Sequence, residues 1–109
     1  MSVVAESLDH NRLLMELNRA VRNANREIIN PLIPELTIDE LTPVMAMVAR
    51  ARGDYLKALF TITESAGEGL PSSEDTQRLR KKRESYEELL AAAKSLEVAI
   101  ERGYLDVSG

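Results

Sequence analysis

No cysteine occurs anywhere in the 109 residues, which removes disulfide frameworks, thiolate zinc sites and thiol nucleophiles from consideration. Tryptophan is also missing, and there is one phenylalanine and one histidine, so little is on hand to stack on bases or to relay protons. Long apolar runs are lacking too. The uncharged stretch in the middle of the chain, Leu41 to Ala49, falls far short of the roughly 20 residues that a membrane span needs. The opening MSVVAESLDHNRLL has no basic segment and carries Glu6 and Asp9 where a signal peptide would be apolar, so a cytoplasmic protein is expected. A basic excess is absent as well: 14 Lys and Arg stand against 18 Asp and Glu, a formal charge of -4. That balance argues against a chain built chiefly to neutralise phosphates.

What is present is the composition of a folded soluble protein, 44% hydrophobic and 29% charged, in a length that suits a single domain over residues 1–109. Leu14, Leu17, Val21, Ala24 and Ile28 recur at spacings of 3, 4, 3 and 4, one narrow stripe of a helix expected over about 5–30. Pro31 ends it, because proline disfavours helical geometry in the residue before it and has no amide to donate. Thr37-Ile38-Asp39-Glu40 has the form of a capping box with Leu36 and Leu41 at the staple positions, which predicts a short extra helical turn near 37–41. Thr42-Pro43 repeats the signal, threonine as cap and proline at the first helical position. The second helix is therefore expected over 43–66, or from Ile38 with a kink. Its core stripe reads Val44, Val48, Ala51, Tyr55, Leu59, Ile62 and Ala66 and runs through Gly53 without a change of phase.

Gly67-Glu68-Gly69-Leu70-Pro71 closes that helix, and Ser72 or Ser73 caps the third, with Glu74 and Asp75 suited to the positive end of its dipole. Helix three is expected over 73–102 with a stripe at Leu79, Tyr86, Leu89, Ala93, Leu96 and Ile100, ending at Gly103. Three long helices joined by short loops imply an all-α fold, an antiparallel up-down-up three-helix bundle.

Chemistry-bearing patterns are few. His10 falls on the inner stripe of helix one, where a phosphotransfer histidine would have to face solvent, so a hydrogen-bonded core histidine is expected. Glu84, Glu87, Glu88, Glu97 and Glu101 lie mostly off the apolar stripe and lack the Glu-x-x-His pairing of a di-metal bundle. No catalytic, cofactor or metal site is expected. The basic run from Arg78 to Arg83 is followed by Glu84 and Glu87, placed to pair with Arg80 and Arg83 at i,i+4, and residues 73–109 hold 7 basic against 8 acidic side chains. In helix one, Asn11-Arg12, Asn18-Arg19 and Asn25-Arg26 repeat every seven residues, with Arg22 beside them. This polar face could address phosphates, base edges or a partner's carboxylates, because both residue types offer directed hydrogen bonds.

Helix two departs most from an ordinary bundle. Beyond its core stripe, Met45, Ala49, Leu56 and Phe60 form a second apolar flank at about 100° to 160° around the helix axis from Val44. Either the apolar loop of Leu32, Ile33, Leu36 and Ile38 covers it, or another chain does. The sequence thus points to a protein-protein interaction module, an acidic helical adaptor, regulator or chaperone-like protein that pairs as a homodimer through this flank and meets a further protein partner. The alternative is a nucleic-acid-associated regulator using the arginines of helix one or the basic run.

Overall fold

The computed structural model describes residues 3–108, with side chains from Glu6 onward. The chain is all-α. Helix α1 spans Val3–Ile29, α2 Ile38–Ala66 and α3 Ser73–Glu101, of 27, 29 and 29 residues. A single 3₁₀ turn, Asn30–Leu32, follows α1, and two strands of two residues, β1 at Leu36–Thr37 and β2 at Val107–Ser108, pair in parallel. The chain divides into two compact units, residues 38–97 and residues 1–37 with 98–109.

Unit 38–97 is a helical hairpin, with α2 packed on α3 as neighbours in a bundle are. The antiparallel register follows from the cross-helix contacts. Asp54 accepts from the Lys82 Nζ at 2.7 Å, and two residues earlier on α2 the Arg52 Nε donates to the Tyr86 hydroxyl at 3.0 Å. The periodicity of both helices is realised here: Val48, Ile62 and Ala93 are buried, and Val44, Ala51, Tyr55, Ala66, Leu79, Tyr86, Leu89 and Leu96 are half-buried beside them. Tyr55 and Tyr86 meet with ring centroids 6.1 Å apart. Arg52, which interrupts the apolar arc in the sequence, lies over the Tyr86 ring with its guanidinium carbon 5.2 Å from the centroid. It supplies a cation-π contact and a hydrogen bond where a gap in the seam would otherwise fall.

The connection between the helices is built as the sequence dictates. Gly67 adopts φ 59° and its amide donates to the Thr63 carbonyl at 3.2 Å, a left-handed C-terminal residue that costs glycine nothing sterically. Ser72 is the cap of α3: its hydroxyl accepts from the Asp75 amide at 3.1 Å.

The start of α2 follows the second of the two expected alternatives. The helix begins at Ile38, five residues before Pro43, which lies inside it, so the turn near 37–41 is the first turn of α2. Thr42 does not cap. Its hydroxyl donates back to the Ile38 carbonyl at 2.9 Å, strengthening the turn that Pro43 deprives of an amide donor. So close to a helix end, the missing donor affects only the first turns. Gly53 is helical, and a Cβ built on it meets nothing within 4 Å. Gly53→Ala is therefore expected to stabilise the protein by up to about 1 kcal/mol. Chemical denaturation checks this, and a destabilisation would show that the glycine serves a close approach.

The other unit ties the end of α1 to the tail of the chain. At the end of α3, Gly103 adopts φ 76°, its amide donates to the Ile100 carbonyl at 3.1 Å, and the Tyr104 amide donates to Ala99 at 2.8 Å. This pair of bonds is a Schellman motif. It turns the chain so that Tyr104 and Leu105 bury their side chains, Leu105 to 4% exposure. Beyond them β2 pairs with β1, Leu36 opposite Val107 and Thr37 opposite Ser108, with a further bond from the Leu36 amide to the Asp106 carbonyl at 2.9 Å. The sequence reading contained no strand and stopped at Gly103. The stripe of α1 that it placed in a core is exposed, with Leu17 at 58% and Ile28 at 67%. His10 is exposed as well.

Candidate protein interface

Met45, Ala49, Leu56 and Phe60 lie on the side of α2 that the hairpin seam leaves uncovered. Val48 and Ile62 turn into α3, and a 100° step per residue carries Met45, Leu56 and Phe60 onto the outer flank. All four are exposed, Phe60 to 69%. Of the apolar residues around the loop, Leu32 is exposed to 74% and Ile38 to 58%, while Leu36 is held in β1 against the tail. An aromatic ring, a thioether and a leucine in one line make an apolar surface that water solvates poorly.

The polar face of α1 is divided in use. Arg12 makes an ion pair with Asp9 at 3.7 Å. Arg26 is drawn into the tail: its guanidinium donates to the Gly103 carbonyl at 2.6 Å and, through both terminal nitrogens, to the two Asp106 carboxylate oxygens at 3.2 and 3.3 Å. Asn30 adds a bond to the same carboxylate at 3.1 Å. The fork of arginine matches two oxygens at once, so Arg26 holds the tail in place. Asn11, Asn18, Arg19 and Arg22 are exposed and Asn25 is half-buried. Sequence reasoning missed the other half of this clasp, Asp106 and the buried Tyr104 and Leu105. The available signal was a large apolar pair directly after a helix-ending glycine, which often folds back on the last turn.

The hydrogen bonds from Arg26 and then Asn30 hold the Asp106 carboxyl below its usual 3.8. A carboxyl depressed in the folded state contributes in full above its unfolded value, and the contribution is lost as pH falls through the lower folded value. The clasp should thus loosen only below about pH 3.8. A carboxyl-detected NMR titration should place the Asp106 midpoint below those of exposed aspartates, and Asp106→Asn should remove this acid step. A midpoint equal to that of its neighbours would mean the bidentate contact does not persist in solution.

The basic run is largely spoken for. Arg78 pairs with Glu74 at 2.8 Å and Asp75 at 3.6 Å, Arg80 with Glu84 at 3.0 Å, Lys82 with Asp54 at 2.7 Å and Arg83 with Glu87 at 3.8 Å. These exposed pairs add little stability, but they leave the run little positive field of its own. A cleft of about 290 Å³ between the two helices of the hairpin is lined by Lys57, Thr61, Ser65, Asp75 and Arg78 among others, and carboxylate-cation pairs of the same set border it. Among the described residues no three His, Asp or Glu side chains converge as metal ligands would, no buried side-chain polar atom lacks a partner, and no helix is long and apolar enough to cross a membrane. Comparison with known proteins yields no family model, no curated protein and no solved structure that matches this chain.

Proposed function

We propose that this chain is a small cytosolic protein-protein interaction module, an adaptor, regulator or chaperone-like protein, that self-associates and offers helix faces to a protein partner. The supporting observation is the distribution of its apolar side chains. Buried hydrophobics comprise Val48, Ile62, Ala93, Tyr104 and Leu105, while large apolar residues stay exposed along both α1 and α2. A lone exposed leucine means little, whereas whole helix faces of them mark a surface meant to be covered.

The flank of Met45, Ala49, Leu56 and Phe60 is the face assigned to protein contact, since it combines an aromatic anchor with adaptable methionine and carries no charge. No nucleophile, base and orienting group come together at any of the positions considered, so binding is the role the residues support. Light scattering after size exclusion, at high micromolar concentration, is expected to give about twice 12.1 kDa. A single species of 12.1 kDa under those conditions would overturn self-association.

A further inference from the structure

We propose that the second copy is received by α1, whose apolar seam pairs antiparallel with the α1 of its partner and leaves the α2 flank free for a different protein. This rests on the self-association reading and names the surface that carries it. Leu14, Leu17, Val21, Ala24 and Ile28 hold the two seam positions of a heptad repeat, and all are exposed. Within its own unit the seam is not used. Arg26 and Asn30, which bind the tail, lie on the far side of α1, roughly 150° from the seam at 100° per residue. With the adjoining Leu13, exposed to 63%, the seam presents on the order of 500 Å² of apolar surface, near the top of what a monomer shows. Two such surfaces reach about 1,000 Å² in total, the lower bound for a biological interface, as suits reversible pairing.

The asparagine lane sets the direction. In an antiparallel pair Leu17 meets the partner's Val21 and Leu14 meets the partner's Ala24. The same register brings Asn11 to within two residues of the level of the partner's Asn25, and Asn18 as near to the partner's Asn18. Each asparagine amide can both donate and accept, so a lane of them is complementary to itself. The seven-residue asparagine repeat thereby gains a partner near each step.

The absence of cysteine makes the test direct. Size exclusion with light scattering is run on the parent, on Leu17→Glu with Val21→Glu, and on Leu56→Glu with Phe60→Glu, with circular dichroism on each. The expected result is a shift from twice 12.1 kDa to 12.1 kDa for the α1 variant alone. An α1 variant that keeps the doubled mass overturns the pairing while leaving self-association intact, and a parent at 12.1 kDa overturns both. A second arm leaves the seam unaltered. Asn11→Cys mixed with Asn25→Cys, treated with a short bifunctional maleimide, should give a covalent pair that Asn11→Cys alone does not, because antiparallel helices in this register hold the two copies of residue 11 about 24 Å apart at 1.5 Å per residue. Efficient linking of Asn11→Cys to itself would overturn the antiparallel arrangement.

Discussion

Leu105→Ala should lower stability by about 2–4 kcal/mol, although the residue lies beyond the last helix. At 4% exposure Leu105 is the most deeply buried of the core side chains, and Tyr104 beside it is buried as well. The Schellman turn at Gly103 and the fork of Arg26 fix the backbone around it, so the cavity left by truncation has little room to collapse. Urea unfolding reads the effect as a lower midpoint at unchanged slope. A loss under about 0.5 kcal/mol, the size of an ordinary surface change, would mean that the tail is not part of the core.

Ile62→Ala should cost a similar amount, about 2–4 kcal/mol, by emptying the centre of the hairpin. For a chain near 100 residues that is a fall in melting temperature of about 8 °C or more. The informative control is Leu59→Ala. Leu59 belongs to the same sequence stripe but is 45% exposed, so its truncation should cost clearly less than that of Ile62. Equal losses would show that α2 buries Leu59 as deeply as Ile62 in solution, by whatever surface covers it there.

The helices of this protein were legible because each is long, periodic and punctuated. The stripes of α2 and α3 locate the less exposed positions of the hairpin, and Gly67, Ser72 and Gly103 stop and start helices where their backbone chemistry suits them. Two features were hidden for different reasons. A strand of two residues has no period, so Leu36 and Thr37 could be read only as the approach to a helix cap. The role of Arg26 depends on Asp106, 80 residues away, and no local pattern links them. Of the two starts that the sequence offered for α2, the structure takes Ile38, which pre-empts the sound start signal of Thr42-Pro43. For the candidate interface, the outer position of Met45, Ala49, Leu56 and Phe60 followed from phase alone. The exposure of the α1 seam did not, since a stripe that could line a core and a stripe that awaits another chain are written in the same residues.

The clasp between α1 and the tail also orders the events of folding. Helices and the hairpin of residues 38–97 draw on contacts between near neighbours and form quickly, whereas joining Arg26 to Asp106 closes a loop of 80 residues and bears the entropy of doing so. A hairpin already formed shortens that search, because it draws residue 38 and residue 97 toward one end of the same helical pair. The clasp then becomes the last step, and on the ribosome it waits for residues 103–108 to emerge. Throughout that interval α1 is complete, apolar along one side and held by nothing at its C-terminal end. The proposed pairing through this helix would therefore be open to chains emerging side by side on one message before each one finishes folding.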